Sequence, residues 1–280
     1  MINPEDVNLV IYHAGCTDGF GSAWAAWKLL GSKAKYLSWR AGASPPDVTG
    51  KVVVVCDLSF KKDEMIRLLE EAKEIIVLDH HKTAEENLRG VKNCFFDLGH
   101  SGAMLSWNFF HPNVEPPDLI KYIEDKDLWR FSLPWSKEIN SSIDNTDFKF
   151  EEFDKLNSKD GLNAAREEGT VINAFIAKLV EHSTKNLAKK MIGCHTASVI
   201  NTLTFKNEFG HEMCKTADIA VMWNYDHNES LTKVSLRSKG EVDVGKIARQ
   251  WGGGGHKTSS GFILPAGQSI ESIFSKNDMV

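Results

Sequence analysis

Three short apolar runs in the first third of the chain each end on a side chain that can bind a metal ion or move a proton. Residues 7–13 end at His13, with Cys16 and Asp18 in the loop behind it. Residues 51–57 end at Asp57, and Glu74–Asp79 runs directly into His80 and His81. A strand-end Asp by itself is ordinarily a turn or helix cap, and a His-His pair by itself says little. Three such ends are different, because ligands of open α/β sheets collect where parallel strands finish. Hard carboxylate oxygens mixed with imidazole suit Mn²⁺ or Mg²⁺ better than a thiolate-bound zinc. Together, at consecutive strand ends, these residues point to a metal or phosphoryl site.

The elements that must hold these residues follow from periodicity. Residues 7–13, 51–57 and 74–79 read as buried strands. Residues 19–30 read as a helix opening after a glycine turn, with Trp24 and Trp27 as packing residues, and 63–73 as an amphipathic helix. Strand–helix–strand order implies a parallel sheet with right-handed crossovers, flanked by helices. Residues 101–127 are helical, interrupted by Pro112, Pro116 and Pro117; residues 161–191 read as one or two helices, and Gly193 as a break, hinge or linker. Beyond it, 197–205, 218–225, 231–237 and 261–264 read as strands and 244–251 as a helix, which makes a second, smaller α/β unit. The expected division is therefore a metal-binding domain at 1–192 and a substrate-binding domain at 193–280, with a cleft between the two lobes.

Composition narrows the partners. The chain has 280 residues, 42% hydrophobic and 25% charged, enough for one large or two ordinary packed domains. A net charge of −5 argues against wrapping long nucleic acid. Against that background, residues 231–257 carry six basic residues (Lys233, Arg237, Lys239, Lys246, Arg249 and Lys257) and two acidic ones. Such a patch can steer a short anion. The adjoining Gly252, Gly253, Gly254 and Gly255 could offer backbone N–H groups to a phosphate, assisted by His256 and Arg237, with Ser259 and Ser260 as further hydroxyls. The five cysteines are odd in number and form no C-x-x-C, so reduced thiols are expected rather than a disulfide framework or zinc finger. No apolar run approaches the ~20 residues of a membrane span, and the start carries no basic-then-apolar secretory pattern. A cytoplasmic protein without a membrane partner is expected.

The ordered motifs HAGCTDGFG (13–21), CD (56–57), DHH (79–81) and DKDLW (125–129) resemble the four motifs of the DHH phosphoesterase superfamily. SLRS (235–238) followed by GGGGH (252–256) resembles its DHHA1 companion domain. The resemblance spans nearly the whole chain. It implies hydrolysis of phosphodiesters or phosphomonoesters in small nucleotidic substrates, with two divalent cations, commonly Mn²⁺. Carried over by position, it implies that His13 holds the first metal and Asp18 the second, that Asp57 bridges them, and that His80 and Asp127 complete the second site. Asp125 is the rival of Asp127. Asp79 would orient a neighbouring ligand and His81 would face the phosphate, making His81, Asp79 and Asp57 the catalytic group.

Cys16 stands where the family usually has an acid. A thiol is a poor ligand for a hard cation, so Cys16 is expected to weaken or retune the first metal site. The leading activity is cleavage of short oligonucleotides or dinucleotides (nano-RNA) to mononucleotides. The alternatives are a cyclic- or linear-dinucleotide messenger phosphodiesterase or a 3′-phosphoadenosine phosphate phosphatase and, in another class, an inactive nucleotide-binding sensor. Trp129 and Trp135 are candidates to line the cleft, and a homodimer is compatible with all these readings.

Overall fold

Val52–Cys56 is a run of four valines and a cysteine, buried throughout. Only a strand covered on both faces can use such a run, and it is the centre of the N-terminal sheet. In the computed structural model, which describes residues 2–40, 43–265 and 267–274, contacts divide the chain into two units, Met1–Asn173 and Ala174–Val280.

The first unit contains β1 (Leu9–His13), α1 (Thr17–Leu30), β2 (Lys35–Trp39), β3 (Val52–Cys56), α2 (Lys62–Glu71), β4 (Glu74–Asp79), α3 (Lys82–Asn87) and β5 (Cys94–Phe96). They are followed by α4 (Gly102–Phe110), α5 (Asp118–Asp127), α6 (Ser136–Asn145), α7 (Phe150–Leu156) and the start of α8 (Lys159–Thr184). Its five strands are all parallel, in the order β2-β1-β3-β4-β5. Alternate residues feed opposite layers. Val10, Val52, Val54 and Leu78 pack with α1 and α4 residues such as Ala26 and Phe110, while Ile11, Val53, Val55 and Val77 pack on Met65 and Leu68 of α2. Each of these fully buried aliphatic side chains is worth roughly 1.5–3 kcal/mol against exposure, so the central strands are fixed by their own composition.

Register then aligns the strand ends. Tyr12 pairs with Cys56 and Cys56 with Leu78, so His13, Asp57 and Asp79 lie one residue further on, at the same edge of three adjacent strands. The expected parallel α/β layer is what forms.

The second unit takes the end of α8, then β6 (Ala188–Ile192), β7 (His195–Asn201), α9 (Lys206–Met213), β8 (Ile219–Asp226), β9 (Leu231–Ser238), α10 (Val244–Gln250), β10 (Gly254–Gly255) and β11 (Ser259–Leu264). Its sheet order is β10-β11-β9-β8-β7-β6, antiparallel except for β7 on β8. One face is covered by α10 through Val244 and Ala248, the other by Phe209 and Met213 of α9 and by Val180 of α8.

The structure departs from the sequence expectation between residues 185 and 194. The helix stops at Thr184, residues 188–192 form a strand, and Gly193, with φ of 61°, sits in the two-residue turn joining β6 to β7 rather than in a linker. A positive φ in a tight hairpin is a natural glycine position. Among the described residues no helix is long and apolar enough to cross a membrane.

Candidate metal centre

Asp57 occupies the middle of the site. It follows β3 with φ of 55°, a left-handed backbone that a non-glycine residue adopts at a cost of about 1–3 kcal/mol. Its N–H donates to the Leu78 carbonyl at 2.9 Å, which holds the turn to β4. The carboxylate points its two oxygens at two different groups. Oδ2 lies 3.4 Å from His13 Nδ1 and accepts from the Cys16 thiol at 3.4 Å, while Oδ1 lies 3.2 Å from His80 Nε2.

His13 is the last residue of β1. Cys16 caps α1, its Sγ accepting the Gly19 N–H at 3.3 Å and lying 3.3 Å from His13 Nδ1. Asp18, in the first turn of α1, is buried, and its carboxylate accepts the N–H groups of Gly102 at 2.7 Å and Ala103 at 2.9 Å. His80 Nε2 is 3.6 Å from Asp18 Oδ2 and 3.6 Å from Asp127 Oδ2. His13, Cys16 and Asp57 thus form one group of candidate ligands and Asp18, His80 and Asp127 another; Asp57, His80 and His81 form a third that overlaps both.

Asp79 sits behind these groups. Its Oδ1 accepts the backbone N–H groups of His80 at 2.7 Å and His81 at 3.2 Å, and stands 2.7 Å from His81 Nδ1; its Oδ2 accepts the Ser59 hydroxyl. One buried carboxylate therefore sets the backbone of both histidines and the ring of the second. The His81 ring stays half exposed, and Nδ1 is the nitrogen taken by Asp79.

The electrostatics fit divalent cations. Burial, together with the neighbouring charges of Asp57 and Asp127, pushes the Asp18 carboxyl well above its ordinary range. Burial also raises Asp127. Burial pushes Asp57 up too, but hydrogen bonds from His13 and His80 and the charge of His81 outweigh it and hold the group low. Burial pulls His80 down, yet Asp57, Asp18 and Asp127 raise it to about 9. Hydrogen bonding to Asp79 raises His81. Burial and the charge of Asp57 keep the Cys16 thiol protonated. Crowded, buried carboxylates that outnumber the charges able to balance them are costly unless cations join them. The donor set, oxygen-rich with two imidazoles and one thiol, suits such ions.

Asp125 does not join the cluster. Its carboxylate accepts from Ser132 N at 2.9 Å, Ser132 Oγ at 2.6 Å and Leu133 N at 3.1 Å, pinning the loop that leaves α5. In that loop Trp129, Phe131 and Trp135 all have positive φ, and the Trp129 and Trp135 rings are exposed. Trp24 is fully buried and donates to Asp154 at 3.1 Å.

The sequence reading placed a helix from residue 101 but gave the first turn of α4 no part in the site. Ser101 caps that helix through Met104 N, and Gly102 has room for no side chain: a Cβ would lie 2.4 Å from Asp57 Cβ. Glu124 supports the same turn, accepting Ser101 N at 3.1 Å, with His100 Nδ1 at 3.1 Å and an Arg130 N–H at 3.1 Å.

In the second unit, the GGGGH stretch is engaged internally: Gly252 donates its N–H to Arg249, Gly253 to Ala248 and His256 to Ser259, and Gly254 and Gly255 form β10, paired with Gly261 and Ser260 of β11. A Cβ on Gly253 would lie 2.2 Å from the Gly261 carbonyl, so this glycine serves the close approach to β11. Arg237 donates to Asn207 Oδ1 at 3.1 and 3.0 Å and has no carboxylate partner among the described residues. Lys206 is lowered by burial and by the charges of Arg237 and Lys233, so the basic cluster extends onto α9.

Residues 197–279 match the family described as the DHHA1 domain, and the first unit brings the DHH motif together with its expected partners on a parallel sheet. The C-terminal part of the chain is therefore similar to DHHA1 domains. Along 94% of its length the chain is similar to the uncharacterized protein R106 of Acanthamoeba polyphaga mimivirus, at 27% identity over 300 residues and 69% of that protein. Two solved structures share its fold. One, described as the DHH domain of a member of a family of ribosomal proteins, aligns with TM-score 0.63 and 14% identity over 96% of this chain and 85% of that one. The other, the pGpG-specific phosphodiesterase PggH of Vibrio cholerae, aligns with TM-score 0.54 and 13% identity over 95% and 94%.

Proposed function

We propose that this protein is a divalent-metal-dependent hydrolase of phosphoric esters that cleaves short oligonucleotides or dinucleotides to mononucleotides. The observation that carries the reading is Asp57, whose two carboxylate oxygens face two separate ligand groups at the shared end of three strands. His13 and Asp57, with Cys16 beside them, would hold one cation; Asp18, His80 and Asp127, with Asp57, would hold the second. The ions we favour are Mn²⁺. Bound there, they would supply an acidified water and neutralise phosphoryl oxygens. His81, gripped by Asp79 at Nδ1, has Nε2 left to donate to a phosphoryl or leaving-group oxygen as charge develops.

In the second unit, Arg237 and His256 would contribute the anion-binding side chains, while the glycine run beside them is engaged in the turn after α10 and in the pairing of β10 with β11. Net charge and a compact basic patch support a short substrate rather than a long one. PggH, which shares the fold, is named for a linear dinucleotide, which favours linear dinucleotides within that class.

The test is a substrate panel with Mn²⁺ and with chelator: pApA, pGpG, short RNA, a cyclic dinucleotide and 3′-phosphoadenosine phosphate. Mn²⁺-dependent release of mononucleotide from the linear dinucleotides is the expected result. Turnover of the cyclic dinucleotide or of 3′-phosphoadenosine phosphate alone would move the substrate within the same chemistry. Tight binding without turnover of any compound would overturn the hydrolase reading in favour of a sensor.

A further inference from the structure

Apart from the metal-ligand cluster, the first unit has a cavity of about 460 Å³ whose lining shares no residue with that cluster. Its volume is that of a small-ligand site (roughly 300–1,000 Å³). One wall is aromatic and aliphatic: Trp135, Tyr122, Ile139 and Leu162. Trp135 is 56% exposed and held at φ of 59°. A tryptophan kept both exposed and in a costly backbone conformation is poorly explained by packing. Its backbone is fixed all the same, because its carbonyl accepts Ile139 N at 2.9 Å and the Tyr122 hydroxyl donates to the neighbouring Pro134 carbonyl at 2.9 Å.

The rim carries two cationic side chains that no carboxylate of the described residues neutralises. The Arg166 guanidinium lies 5.5 Å from the centre of the Trp135 ring, and among the described residues neither Arg166 nor Lys159 pairs with a carboxylate. Asp118, the acid of the lining, already has Lys121 at 3.9 Å. The side-chain amides of Asn157 and Asn163 also line the cavity, and no hydrogen bond engages them among the described residues.

An aromatic platform, two cations without a carboxylate partner among the described residues, one of them against the Trp135 ring, and two unengaged amides match one chemical class. A planar base stacks on Trp135, its polar edge meets the amides, and a phosphate takes the charge-assisted hydrogen bonds of Arg166 and Lys159. We infer that this cavity is a second, non-catalytic binding site for a nucleoside monophosphate. The inference stands on the cavity alone and does not require phosphoester hydrolysis at the metal cluster.

The experiment is calorimetric titration of the full chain, in chelator, with AMP and separately with adenosine, ribose 5-phosphate and inorganic phosphate. AMP should bind at least about tenfold more tightly than each fragment. Lys159→Ala, at an exposed position, and Arg166→Ala, at a half-buried one, should each weaken AMP by about tenfold, the loss of one hydrogen bond to a charged group. Trp135→Gly, which relieves the positive φ while removing the ring, should do likewise, and Asp57→Asn should leave AMP binding in place. Three results overturn the inference: no binding at about 1 mM AMP; ribose 5-phosphate binding as tightly as AMP; or binding lost with Asp57→Asn but kept with Arg166→Ala, which would put the nucleotide at the metal cluster.

Discussion

Gly102→Ala tests the geometry at its tightest point. In an ordinary exposed helix this change adds up to about 1 kcal/mol of stability. Here the added Cβ would sit 2.4 Å from Asp57 Cβ, 2.9 Å from Asp18 Oδ2 and 3.0 Å from Asp57 Cα. Ordinary carbon contacts need about 3.5–4.0 Å, so α4 or Asp57 must retreat by about 1 Å or more. None of the three atoms is the far end of a flexible chain: one is backbone, and Asp18 is held by the N–H groups of Gly102 and Ala103. Overpacking costs about 1–3 kcal/mol, set against the helix gain, so stability should fall by only about 0–2 kcal/mol. Function should fall much further, because a misplacement of about 1 Å at a reacting centre can cost about 10²-fold. Thermal melts, Mn²⁺ titration and turnover of pApA should together show a folded protein with weakened metal binding and a roughly hundredfold lower kcat/KM. A fully active Gly102→Ala protein with unchanged Mn²⁺ affinity would refute the argument that this glycine shapes the ligand cage.

Three further outcomes are expected. Because His80 is raised to about 9 and must be neutral to ligate, metal binding below that pH displaces its proton. Apparent Mn²⁺ affinity should then rise by about tenfold per pH unit for each proton displaced, and calorimetry in buffers of different ionisation enthalpy should detect the release; a pH-independent affinity between pH 6.5 and 9 would contradict it. Cys16→Asp replaces a protonated thiol beside His13 and Asp57 with a hard oxygen donor, and should tighten Mn²⁺ and Mg²⁺ at the His13 side; identical stoichiometry and affinity would show that Cys16 merely packs. Asp125→Ala strips the acceptor from Ser132 N and Leu133 N and should cost about 2 kcal/mol, read as a lower Tm, with metal affinity also reduced because Asp127 ends the same helix. An unchanged Tm would remove Asp125 from the account.

The core of the site was legible because burial and chemistry coincide in the same residues. The apolar runs ending at His13, Asp57 and Asp79 can only be interior strands, and parallel register then brings their ends together. What escaped the sequence has a different physical character. Lys35–Trp39 alternates and is half exposed, as an edge strand can be, so it lacked the continuous apolar signal of β3. The donors that hold Asp18 are backbone N–H groups of Gly102 and Ala103, which leave no side-chain signature beyond the capping Ser101. Asp125 and Asp127 share one helix and one motif, and only the path of the following loop, bent by positive φ at Trp129 and Phe131, decides which carboxylate turns to the cluster. The glycine run read as a phosphate cradle, but close packing against β11 accounts for Gly253, and α10 accounts for part of the hydrogen bonding.

The most direct measurement is anomalous diffraction from crystals grown with Mn²⁺. Two peaks about 3.5–4 Å apart, with Asp57 touching both, His13 and Cys16 beside one, and Asp18, His80 and Asp127 around the other, are the expected result. A single peak elsewhere, or none within reach of Asp57, would contradict the proposal that these strand ends hold a pair of ions.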